Sequence, residues 1–190
     1  MIDESGWLVG VTRIPSPNYN ERPPGGDISL LVIHNISLPP NCFGGPYIQQ
    51  LFTNCLNPDE HPYFAEIADR RVSAHLLIAR DGQVTQFVSF HDRAWHAGES
   101  RYRGRSNCND FSIGIELEGT DTTPYTDVQY GQLLATLRLL LDRYSGLSPT
   151  RVVGHSDIAP GRKTDPGPAF AWERLTAGLK GGKSPAQRVR

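Results

Sequence analysis

The run Leu30-Leu31-Val32-Ile33, closed by His34, constrains the fold more than any other stretch of the chain. A short, continuous apolar run bounded by turn formers suits a strand covered on both faces. A buried strand is therefore expected over residues 29–36. Helices must then pack against the sheet that contains it. The expected fold class is α/β, a single domain with a mixed central β-sheet flanked by helices. At 190 residues the chain is long enough to bury such a core without disulfides. The domain is expected over residues 1–180, with residues 181–190 a flexible tail, because beyond Gly181 the sequence is small and basic.

Other elements follow from local chemistry. Residues up to Gly26 are rich in Pro, Asn and Gly and should wrap a surface. A short helix is expected over 47–53. Residues 72–80 and 83–89 flank Asp81-Gly82, a pair that readily takes the positive φ angles of a two-residue hairpin turn. Residues 112–118 alternate, with Ile113, Ile115 and Leu117 on one face and Gly114, Glu116 and Glu118 on the other. Thr126 followed by Gln129 fits a capping box. The helix it starts should bury Tyr130, Leu133, Leu134, Leu137, Leu140, Leu141 and Tyr144 and stop at Gly146. A short strand is expected over 151–153, and Pro168 should open a last helix through Phe170, Trp172 and Leu175.

Charge narrows the partners. Nineteen basic and 20 acidic residues leave a net charge of −1, without the basic field of a nucleic-acid binder. The N-terminal segment is acidic at Asp3 and Glu4, where a signal peptide would be positive, and no apolar run is long enough to cross a membrane. A cytoplasmic monomer that engages neither nucleic acid nor membrane is expected. Cys42, Cys55 and Cys108 form no CxxC pair, and an odd count suits reduced thiols.

The stretch from Gly154 to Gly167, GHSDIAPGRKTDPG, supplies a histidine, two aspartates and a lysine. A catalytic zinc takes three protein ligands from His, Asp, Glu or Cys and leaves a fourth position open. His34, His155 and Asp165 could supply such a set, and Asp157 competes as the carboxylate. Spacing leaves the matter open, since no short metal motif such as HExxH is present and any one histidine could be a structural, hydrogen-bonded residue.

The segments LLVIHN, SAHLLIARDG, AWHAG, NDFSIGIELEGTD and GHSDIAPGRKTDPGPAF, in this order, resemble the zinc-dependent N-acetylmuramoyl-L-alanine amidases. The resemblance covers about residues 6–175. It implies one Zn2+ per chain held by His34, His155 and Asp165, with Glu116 as general base and Lys163 as oxyanion stabiliser. It further implies a cleft in which Asn35, Tyr63, Arg71, Trp95 and Arg105 meet the substrate. That substrate would be an anhydro-muropeptide, cut between the lactyl group and L-alanine in peptidoglycan recycling. A non-catalytic peptidoglycan-binding module and an exported wall-lytic amidase are the alternatives. His61, His75, His91 and His96 are not expected to bind metal, and His96, in AWHAG, takes a structural or substrate-facing role. Asn107 departs from the pattern, which carries arginine there.

Overall fold

The computed structural model describes residues 1–181. In chain order these form β1 (Thr12–Arg13), β2 (Tyr19–Glu21), β3 (Leu30–Ile36), α1 (Tyr47–Phe52), α2 (Pro62–Ile67), β4 (Leu76–Ile78), β5 (Val84–Gln86), β6 (Asp92–Ala94), β7 (Arg101–Tyr102), β8 (Arg105–Ser106), β9 (Ser112–Glu118), α3 (Asp127–Arg143), β10 (Val152–Gly154), α4 (His155–Ile158) and α5 (Trp172–Gly181). Of the tail expected over 181–190, Gly181 closes α5 and the remainder lies outside the described residues.

The central sheet runs in the order β1-β5-β4-β9-β3-β10. β4, β9, β3 and β10 are mutually parallel, while β5 is antiparallel to β4 and carries β1 along its outer edge. The sheet is mixed, as the sequence implied. Its two longest strands, β3 and β9, pair along their whole length from Leu30 opposite Ser112 to Ile36 opposite Glu118.

Side-chain alternation assigns the two faces. Leu31 and Ile33 from β3, Leu76 and Ile78 from β4, and Ile113, Ile115 and Leu117 from β9 pack with Tyr130, Leu133, Leu137 and Leu140 of α3. Each fully buried leucine there contributes about 1.5–3 kcal/mol of hydrophobic stabilisation. The opposite face receives Leu30 and Val32 with Ala97, Phe111 and Ile158 at one place, and Leu77 with α1 and α2 at another. On that face His34, Ser112, Gly114 and Glu116 are thereby left for the polar site.

α3 begins with the expected capping box: Gln129 N donates to Thr126 Oγ1 at 3.2 Å, and Thr126 N donates to Gln129 Oε1 at 3.0 Å. The Gln129 amide also donates to Ile78 O and Glu118 O, so the cap ties α3 to the ends of β4 and β9. The helix ends at Arg143, where Tyr144 turns extended (φ −116, ψ 105), so Gly146 does not provide a left-handed stop.

Three other expectations change. The hairpin strands are shorter, Leu76–Ile78 against Val84–Gln86, and the turn holds three residues instead of two. Ala79 and Gln83 close it (Ala79 N to Gln83 O, 2.9 Å), and Gly82 alone takes the positive φ, +86. A single left-handed residue after a tight turn satisfies this loop, so Asp81 stays out of that region. The last helix begins at Trp172, and Pro168 and Phe170 precede it. The N-terminal segment adds the edge strand β1 and a second ribbon, β2 with β6, beyond the surface wrap that its composition suggested.

Candidate metal centre and cleft

The polar residues gather at the carboxyl ends of the parallel strands, where α/β sheets place their ligands. His34 is the fifth residue of β3, and Glu116 stands opposite it on β9. β10 runs on the other side of β3, with Gly154 opposite Ile33, so His155, the next residue, arrives beside His34. Asp165 comes from the loop after α4. Its backbone oxygen accepts from Ser156 N at 3.0 Å, and the oxygen of Pro166 accepts from the Tyr125 hydroxyl at 2.8 Å.

Three atoms converge. His34 Nδ1 lies 2.9 Å from His155 Nδ1 and 3.1 Å from Asp165 Oδ2, and His155 Nδ1 lies 3.0 Å from the same oxygen. Both imidazoles are held from behind. His155 Nε2 donates to Ala97 O at 3.0 Å, which fixes its proton because a carbonyl can only accept. His34 Nε2 lies 2.9 Å from His96 Nδ1. Two ring nitrogens and a carboxylate oxygen turned toward one point form a group able to hold a metal ion.

Electrostatics agree with that reading. Burial pushes His34 down to about 4, which keeps its imidazole neutral and able to ligate. Burial works to raise the Asp165 carboxyl, but hydrogen bonds with His155 and His34 outweigh it and hold Asp165 below the ordinary carboxylate range. Glu116 behaves in the opposite way: burial, reinforced by the charge of Asp165, pushes its carboxyl well above 4.5. Its Oε2 is buried without a hydrogen-bond partner among the described residues.

These groups open onto a cleft of about 580 Å³. Asn35, Tyr63, Trp95 and Lys163 line it together with His34, His155, Asp165 and Glu116. Arg71 does not, although it lies between Arg70 and Val72, which do. Arg105 is engaged elsewhere, stacked 3.8 Å from the Phe111 ring centroid and donating to Ser29 Oγ. Asp157 accepts from Gly154 N at 2.7 Å, which turns its carboxylate onto the start of α4 and leaves Asp165 as the converging carboxylate.

The other histidines have separate partners. His61 Nδ1 accepts from Tyr63 N at the start of α2, His75 Nδ1 accepts from Gly114 N, and His91 is exposed. Asn107 sits in the left-handed region at φ +58, which asparagine tolerates better than most side chains. Sequence reasoning passed over Asp121 and Arg162. Asp121 lines the cleft and accepts from Asn35 Nδ2 at 2.8 Å, and Arg162 lines it while donating to Ala97 O at 2.7 Å. Arg162 adjoins Lys163 in sequence, and Asp121 follows β9 by three residues as the last residue of the segment NDFSIGIELEGTD, where it was given no role.

The sequence profile of N-acetylmuramoyl-L-alanine amidases matches residues 24–168, a span that includes every converging side chain. The chain belongs to the N-acetylmuramoyl-L-alanine amidase family. Among family members, the 1,6-anhydro-N-acetylmuramyl-L-alanine amidase AmpD of Escherichia coli K12 is 62% identical over 175 residues, 92% of this chain and 95% of that protein. A crystal structure of an AmpD selenomethionine derivative superposes with a TM-score of 0.91 at 57% identity, covering 94% of this chain and 99% of that one. The amidase AmiD of E. coli, in complex with anhydro-N-acetylmuramic acid-L-Ala-D-γ-Glu-L-Lys, matches with a TM-score of 0.59 at 30% identity, covering 83% of this chain and 60% of that one. The mixed sheet and its flanking helices are thus the amidase-family architecture.

Proposed function

We propose that this chain is a zinc-dependent amidase that hydrolyses the amide between the lactyl group of anhydro-N-acetylmuramic acid and L-alanine in soluble muropeptides. The observation that carries the reading is the convergence of His34 Nδ1, His155 Nδ1 and Asp165 Oδ2 beside the unpartnered Oε2 of Glu116. Zinc suits this donor set. Ligand atoms around a tetrahedral zinc stand about 3.3 Å apart, given bonds of about 2.0–2.1 Å. The three separations here, 2.9, 3.0 and 3.1 Å, need only a small outward adjustment. His34, His155 and Asp165 would hold the ion, which when bound acidifies water and polarises a carbonyl.

The chain's own groups supply the rest. Glu116, its basicity raised by burial, takes the proton of the attacking water and delivers it to the leaving amine of L-alanine. Lys163 sets an ammonium charge where the carbonyl oxygen becomes negative. Tyr63 and Trp95 offer ring faces to the sugar, and Asn35 is held toward the cleft by Asp121. Arg71, one residue from the cleft-lining Arg70 and Val72, is assigned to a peptide carboxylate. Arg105 has no part in this set. The reading extends to residues 1–180 as one amidase domain that works as a cytoplasmic monomer in peptidoglycan recycling. Among the described residues, no helix is long and apolar enough to cross a membrane.

The test is metal analysis of the purified protein followed by mass-spectrometric assay on anhydro-muropeptides and on intact sacculi. One zinc per chain and release of the peptide from soluble fragments are expected, with sacculi cut far more slowly. Absence of both zinc and cleavage rejects the enzyme reading in favour of a binding module. Sacculi cut as fast as fragments reject recycling in favour of wall lysis.

A further inference from the structure

His96, expected to take a structural or substrate-facing role, lines the cleft and touches the candidate metal centre directly. Its Nδ1 lies 2.9 Å from His34 Nε2, on the side of the His34 ring away from Asp165 and His155. Its own Nε2 lies 3.1 Å from Ser112 Oγ. Three residues of the paired strands β3 and β9 frame this chain: His34, Ser112 and Gly114. Gly114 makes the space. A Cβ there would stand 2.4 Å from His96 Cγ and 2.6 Å from His96 Nδ1, so any larger residue would drive the ring off His34. The backbone of His96 is fixed as well, its N donating to Asn109 Oδ1 at 3.1 Å.

We propose that His96 is a positioning residue for the metal centre, accepting the His34 Nε2 proton at its own Nδ1 and passing the chain on to Ser112. An imidazole that ligates through Nδ1 must carry its proton on Nε2, and that proton needs an acceptor because the His34 ring is buried. His155 meets the same requirement with Ala97 O. For His34 the acceptor is a second imidazole, whose Nε2–H then donates to Ser112 Oγ. His96 thus fixes the tautomer and the ring plane of His34, and Gly114 is the vacancy that admits it. The inference rests on the metal reading above.

The test compares two substitutions of similar shape. In His96→Asn the side-chain Oδ1 falls near the former Nδ1 and can accept, whereas His96→Leu fills a similar volume with no acceptor. Zinc affinity is measured by competition with a chromophoric chelator, on parent and variants stripped of metal and confirmed folded by circular dichroism. His96→Leu is expected to weaken zinc binding about 10–100-fold, the usual consequence of losing the hydrogen-bond partner of a ligating histidine. His96→Asn is expected to retain most of the affinity, and Gly114→Ala to resemble His96→Leu. Nitrogen NMR of the zinc-loaded parent should find the His34 proton on Nε2. Equal affinity in parent and His96→Leu overturns the inference. So does an equal loss in the Leu and Asn variants, which would mean that an acceptor at the Nδ1 position is not what the site needs. A parent chain that binds no zinc overturns the metal reading itself, and this inference with it.

Discussion

Glu116 carries one carboxylate oxygen with no hydrogen-bond partner among the described residues, and burial together with Asp165 raises its carboxyl well above 4.5. A general base works only when deprotonated, so turnover should be low in acid and rise as pH climbs through the elevated Glu116 value. Glu116→Gln should lower kcat about 10²–10⁴-fold and flatten that acid limb while zinc content stays at the parent level. The same shift affects stability with a definite sign. A carboxyl raised in the folded state favours folding below its unfolded value near 4.5, and that contribution is lost as pH rises through the folded value. In metal-free protein the stability gap between Glu116→Gln and the parent should therefore widen from pH 4 to pH 8, read as urea midpoints. That Glu116 faces away from Ile113, Ile115 and Leu117 was legible in strand alternation. Its solitude was not, because that depends on what β3 and the Asp165 loop bring next to it.

Among the elements, α3 was the most legible, since a capping box and an apolar stripe are written within a few residues of one another. Thr126 Oγ1 meets Gln129 N and also donates to Arg80 O at 2.8 Å in the neighbouring hairpin turn. Thr126→Ala should cost about 1–2 kcal/mol, measured as a lower urea midpoint with an unchanged m value. The hairpin was legible as a hairpin but not in its turn, because Asp81-Gly82 fits more than one loop length. The deciding contacts, from Arg80 to Glu118 and Thr126, lie about 40 residues away. β1 and β2 could not be read at all. They are two and three exposed residues long and have no apolar alternation to mark them.

For the molecule as a whole, the candidate metal centre joins β3, α4 and the following loop across more than 120 residues of sequence. An ion held there binds the folded chain and not the unfolded one, so it stabilises by mass action, about 2.7 kcal/mol at a free concentration 100 times Kd. Chelation should lower Tm and abolish turnover, and added zinc should restore both. His155→Ala should remove the zinc-dependent part of Tm.

By itself the sequence determined the α/β frame, the long capped helix, the two faces of β9 and the residue types from which a metal site could be drawn. Each of these rests on a short-range regularity, a period of two or of 3.6 or a cap a few residues long, that persists whatever the rest of the chain does. The tertiary structure alone decided which groups meet. It turned Asp157 onto Gly154 and brought Asp165 to the histidines through Tyr125 and Pro166. It also set His96 against His34 over Gly114 and drew Arg105 away to Phe111. Convergence of that kind depends on strand order and on hydrogen bonds between distant segments, and neither leaves a local mark in the sequence.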